Sequence, residues 1–282
     1  MFWYFLVPQS AFVVLFPLIV GIALLSRGSW RVRFTLIRDL GIPVGIIGSL
    51  IGMTQMLARS SMISEIEYAD AIYPATGIML ITIFYGGILS ALAHFLTETK
   101  WAASDQNSCP PVGFWRPAVV VANFVSVLLL AIFSREHFEF FFDRAAVLIC
   151  GLSVVLALLV SSPGRRPINL SRALLFSSMV AVIAGLITFF MGDKDMGVFV
   201  AANGLLYGLV GYIILYIWCA SRPEGETINA PLTNWHWMEV TGFFIFMFLA
   251  PDTILDNFQE EAVQQQIQEL QSEIAILRGD GS

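Results

Sequence analysis

The chain has 282 residues, of which 57% are hydrophobic and 13% charged, and its mean hydropathy is +0.77. Soluble domains carry about 25% charged residues, so the composition excludes an ordinary soluble globular protein and points to the lipid bilayer as the surroundings. A net charge of -6, with no long basic run, excludes a nucleic-acid partner.

A bilayer span needs roughly 20 apolar residues. Eight segments qualify: about 7–26, 41–59, 72–96, 117–133, 145–161, 173–191, 197–219 and 235–255. The eighth is the weakest, because it holds Glu239 and ends at Pro251-Asp252. The first reads as an uncleaved anchor, since no positive charge precedes Arg27. Lys and Arg sort between alternate loops. Ten lie in segments 27–40, 97–116, 162–172 and 220–234, against five on the other side. The positive-inside rule then puts the first set in the cytoplasm and the N-terminus outside. With eight spans the C-terminus is outside too. The expected class is all-α: a polytopic helical bundle of seven or eight spans, with a helical tail.

The expected organisation is a first three-helix unit over 1–100, a linking span at 117–133 and a second three-helix unit over 144–220. A membrane or interfacial helix at 235–256 and a tail helix at 258–278 follow. The two units look related. VGIIGSLIG (44–52) sits opposite AVIAGLITF (181–189), and YGGILSALAHFL (85–96) sits opposite YGLVGYIILYIW (207–218). In this register Thr82 aligns with Gly204, Gly48 with Gly185 and Gly52 with Phe189. The linking span inverts the chain between the units, so both keep one orientation, as in parallel repeats.

Small residues form stripes at helical spacing. Gly41, Gly45, Gly48 and Gly52 share one face, and Ala201, Gly204, Gly208 and Gly211 share another. Such faces let helix backbones approach closely in lipid, where no hydrophobic force drives helices together.

The first stripe belongs to a longer pattern. Pro43-x-x-Ile-Ile-Gly48-Ser49-Leu-Ile-Gly52-Met-x-x-Met-Leu57 resembles the third helix of the MotA/TolQ/ExbB proton-channel family. Gly77-Ile-Met-Leu-Ile-Thr82-Ile-Phe-Tyr85-Gly86, followed by Ser90-Ala91 and Phe95, resembles the fourth helix of its MotA branch. The resemblance covers residues 41–96. It implies a homo-oligomeric ring around single-span partners, each with a membrane-embedded Asp that takes up and releases protons. It also implies that Thr82, Gly48, Gly52, Tyr85 and Gly86 form the ion-pathway wall that meets the partner helix, and that the setting is a bacterial inner membrane. A hydroxyl such as Thr82 can donate to a carboxylate or hold a water. It can equally bond a carbonyl one turn back in its own helix. The large cytoplasmic domain of motor subunits has no counterpart, because segment 27–40 is only a short basic loop on this reading.

Few ionisable residues fall inside the spans. Glu239, beside Trp235, His236 and Trp237, reads as a group near an aromatic interface belt. His94 reads as a packed or interfacial residue near the cytoplasmic end of its span, with a titration range that would suit a proton relay. No deep Asp or Glu is expected in the chain itself, so a conducting role would require a partner's carboxylate. Phe138 to Phe142, around Glu139, is expected to lie as an interfacial surface on the outer side. Cys109, Cys150 and Cys219 form no metal or disulfide motif. No enzymatic motif, metal site or cofactor site is expected. In the tail, Val263, Ile267, Leu270, Ile274 and Leu277 step by four and three, a heptad seam suited to oligomerisation or partner docking.

Overall fold

The computed structural model describes residues 30–60, 65–97, 115–133, 138–162 and 166–220, with positions 266–268, 270, 271 and 274. Among the described residues the secondary structure is entirely helical. The helices are α1 (Trp30–Ser60), α2 (Glu65–Thr97), α3 (Trp115–Phe133), α4 (Arg144–Val160), α5 (Arg166–Phe190) and α6 (Lys194–Ala220), with a 3-10 turn at Phe138–Phe141 before α4. Among the described residues, four stretches are long and apolar enough to cross a membrane: Phe34–Gln55, Glu139–Val160, Asn169–Phe190 and Met196–Trp218. Shorter apolar stretches occupy Leu80–Leu96 and Ala118–Phe133. The chain therefore has the build of a membrane protein. The expected spans near 7–26 and 235–255 lie outside the described residues.

Positions 30–40, expected in a loop, are helical. α1 begins at Trp30 and continues for 31 residues, about 46 Å of helix. The basic residues Arg31, Arg33 and Arg38 ride on its first turns. Pro43 sits inside α1 and removes the N–H that would have reached the carbonyl of Asp39.

The bundle consists of two hairpins joined through α6. α1 packs along α2, and α5 packs along α6. α6 also meets α4, α1 and α3, so it is the hub. Leu205, Leu209 and Ile213 of α6 are fully buried and share one core with Ile46, Leu50 and Met53 of α1. α2 packs mainly against α1 and leaves Leu80, Phe84, Ile88 and Leu92 exposed. α4 exposes Leu148, Leu152, Leu156 and Leu159, an outward apolar face suited to lipid.

Polar chemistry closes the helix ends. Asp143 caps α4, its carboxylate accepting from the Ala146 amide at 2.6 Å. The α5–α6 turn is a Schellman motif. The Gly192 amide donates to the Phe189 carbonyl at 3.2 Å, and the Asp193 amide donates to the Thr188 carbonyl at 3.3 Å. Gly192 has φ +104, a left-handed conformation that side chains disfavour. Asp193 then caps α6 by accepting from the Met196 amide at 3.1 Å.

The segment around Glu139 is a 3-10 turn held against α6. Asn203 Nδ2 donates to the Phe140 carbonyl at 2.8 Å, and the Tyr207 hydroxyl donates to the Phe141 carbonyl. Phe141 is buried, Phe140 stacks on Phe199, and Phe142 and Glu139 are exposed. Two donors one helical turn apart on α6 thus capture backbone carbonyls that a 3-10 turn leaves open.

Candidate functional site: the first hairpin and its junction with α6

The α1–α2 hairpin is as tight as backbone allows. A Cβ added at Gly41 would come within 2.6 Å of the Gly86 carbonyl. One added at Gly45 would come within 2.9 Å of both the Ile83 Cα and the Thr82 carbonyl. One added at Gly86 would overlap the Gly41 carbonyl. Glycine at these three positions is what lets the two backbones touch. Gly48 and Gly52, further along the same stripe, are only partly buried.

Thr82 points into this contact. It is buried, and its hydroxyl lies 3.1 Å from the hydroxyl of Ser49 on α1. Ser49 also donates to the Gly45 carbonyl at 3.2 Å. Either hydroxyl can donate to the other. Tyr85, three residues on, is half-buried, and its buried hydroxyl has no hydrogen-bond partner. Thr54 Oγ1, above Ser49 on α1, is likewise buried and unpartnered. Buried side-chain oxygens thus occur at Ser49 and Thr54 on α1 and at Thr82 and Tyr85 on α2.

At the end of the hairpin near the start of α1, three helices meet in one polar junction. Ser90 of α2 donates to the Arg38 carbonyl at 2.8 Å. Asp39 lies within the apolar stretch Phe34–Gln55, with only 14% of its side chain exposed. Arg38 Nε meets Asp39 Oδ1 at 2.8 Å, and the Tyr216 hydroxyl of α6 donates to Asp39 Oδ2 at 2.5 Å. Asp39 is thus a carboxylate shielded by protein near the end of the apolar stretch, on a helix that starts eleven residues before the span expected at 41–59. Two donors, one on each oxygen, offset the loss of water around the charge.

The second hairpin repeats the close packing. A Cβ at Gly204 would overlap the Ala181 Cβ, and one at Gly208 would come within 2.6 Å of the Ser178 Cβ. One at Gly211 would meet the Leu174 side chain at 2.8 Å. In the register of the sequence repeat, Gly41 falls on Ser178 and Gly86 on Gly208. Each of these pairs is a point of close approach in its own hairpin. No hydroxyl pair replaces Ser49 and Thr82 in the second hairpin, because Thr82 aligns with Gly204.

His94 lies on the exposed side of α2, near its end, with its ring 6.0 Å from that of Phe95. Ile267, Leu270 and Ile274 are helical and exposed. Glu239, Val263 and Leu277 lie outside the described residues. Sequence reasoning passed over Asp39 and Tyr216. The available signal was a phenol near the end of one apolar span and an acid near the matching end of another.

Comparison with protein-family models, characterised proteins and solved structures finds no match for this chain.

Proposed function

We propose that this chain is a subunit of an oligomeric membrane complex driven by an ion gradient, of the MotA/TolQ/ExbB type, in a bacterial inner membrane. It works with a single-span partner whose helix carries an Asp. The chain is built from two tandem three-helix units joined by a linking span, with eight spans in all and both termini outside. The tail at 258–278 adds a short coiled coil for assembly.

The observation that carries the reading is the Ser49–Thr82 hydroxyl pair, buried where two glycine-packed helices touch. Hydroxyls that exchange donor and acceptor roles can pass a proton or hold a water beside a carboxylate. An unpaired charge in hydrocarbon is costly, so a partner's Asp needs such a wall. Thr82, Tyr85 and Gly86 on α2, with Gly48 and Gly52 on α1, supply it. Ion passage through the partner carboxylate would be coupled to a relative movement of partner and ring.

One observation favours a second reading, a non-conducting scaffold. Thr82 already has a hydroxyl partner within its own chain, so its polar group is compatible with a packing role alone.

The test is affinity purification from native membranes, with native mass and identification of the co-purifying chains. A ring holding a single-span, Asp-bearing protein is the expected result. A ring alone, or a ring attached to a large membrane complex, would replace the motor reading with the scaffold.

A further inference from the structure

We infer that the exposed face of α2 in one copy of this chain docks on the exposed face of α5 in a second copy. The contact between copies would reproduce the contact that α1 and α6 make inside each chain. The inference rests on the tandem-unit part of the reading above and is independent of ion conduction.

Within the chain, the two units meet through α1 and α6. Asp39 and Tyr216 fix the facing sides. On α1, Asp39, Pro43, Ile46 and Leu50 follow one another by four, three and four residues, and the last three are buried. On α6, Ala202, Leu206, Leu209, Ile213 and Tyr216 follow by four, three, four and three, and all are buried. Both sets are single helical faces.

The repeat register carries each face to its counterpart in the other unit. Asp39, Pro43, Ile46 and Leu50 fall on Phe176, Val180, Ile183 and Ile187 of α5, and all four are exposed. Ala202, Leu206, Leu209, Ile213 and Tyr216 fall on Leu80, Phe84, Gly87, Ala91 and His94 of α2. Four of these are exposed, and a Cβ added at Gly87 would meet nothing within 4 Å. The two faces that are covered in the internal junction are thus the two left open at the outer ends of the same chain.

The shapes also match. α1 and α6 run antiparallel, since Asp39 is early in one and Tyr216 late in the other. The same arrangement between copies sets Phe176 against His94, Val180 against Ala91 and Ile183 against Gly87. The larger side chains of α5 then fall on the two smallest residues of the α2 face, the small-residue packing that associates helices in lipid. Because the two faces differ, the contact is head-to-tail. Such contacts close into rings when the rotation permits.

The test uses two differently tagged full-length chains, co-expressed in one membrane. Both lack native cysteines (Cys109→Ser, Cys150→Ala, Cys219→Ser). One carries His94→Cys and the other Phe176→Cys, and a short bismaleimide is added to intact membranes. The expected product is a dimer bearing both tags. The pairing of His94→Cys with Leu148→Cys, on the outward face of α4, should give none. Dimers of His94→Cys with itself would overturn the proposal, because they mark an α2-to-α2 contact. So would a monomeric native mass, or an oligomer in which the two-tag dimer is no more abundant than in the Leu148→Cys control. None of these results depends on ion flux. A two-tag dimer from a chain that never conducts would remove the motor reading and leave this interface standing.

Discussion

Asp39 and Tyr216 are 177 residues apart in sequence and share a hydrogen bond of 2.5 Å, phenol to carboxylate. The bond ties the first hairpin to the hub helix of the second. Hydrogen bonds to a charged group contribute roughly 1.5–3 kcal/mol. Tyr216→Phe should therefore lower stability by about that amount while α5 and α6 stay paired. Asp39→Ala should cost more, because it also removes the contact with Arg38. Unfolding of the purified protein in mild detergent, followed by tryptophan fluorescence, checks both values. A Tyr216→Phe chain as stable as the parent would mean that the junction is held by apolar packing alone.

Neighbouring glycines on α2 should behave oppositely. Gly86→Ala places a methyl group into the Gly41 carbonyl, whereas Gly87→Ala meets nothing within 4 Å. Overpacking a tight contact costs roughly 1–3 kcal/mol. Gly86→Ala should lose stability on that scale, and Gly87→Ala should leave the isolated chain unchanged. The same unfolding measurement separates them, and equal effects would contradict the hairpin geometry.

The hydroxyl pair separates the two functional readings. Thr82→Val keeps the shape of the side chain and removes its hydroxyl. The conducting reading expects ion flux into liposomes reconstituted with the full complex to be lost, with the native mass of the complex unchanged. Ser49→Ala should reduce flux in the same direction. Unchanged flux in both variants would assign the pair to packing.

The 3-10 turn offers a test of the second unit. Asn203→Ala and Tyr207→Phe each remove one donor to a backbone carbonyl of the turn. Each should cost about 1 kcal/mol. A double-mutant cycle should show coupling, since both bonds hold the same four residues. Strict additivity would mean that the turn is held elsewhere.

Much of this architecture is legible in the residues, and the exceptions share one cause. The spacing of Gly41, Gly45, Gly204 and Gly208 reveals helix faces made for close approach, because that property depends only on the local periodicity. Which helix fills each face depends on contacts distant in sequence, so the spacing could not divide Gly41 and Gly45, sealed by α2, from Gly48 and Gly52, partly open. Asp39 was hidden by the charges around it. Beside four arginines it reads as solvated loop, and its bond to Tyr216 depends on a residue 177 positions away. The 3-10 turn at Phe138–Phe141 is hidden in the same way, because Asn203 and Tyr207, which hold its backbone, are also distant in sequence.

The Asp39–Tyr216 bond also sets a schedule for biosynthesis. The first hairpin needs only its own glycines to close and can do so soon after Thr97 emerges. Its carboxylate must wait for a phenol made 177 residues later. At ribosomal speeds of roughly 5–20 residues per second, the delay is about 10–35 s. During that interval Arg38, the adjacent residue, is the companion already in place. A membrane chaperone or insertase that shelters this newborn hairpin would therefore meet an ion pair on one flank, waiting for the hub helix to arrive.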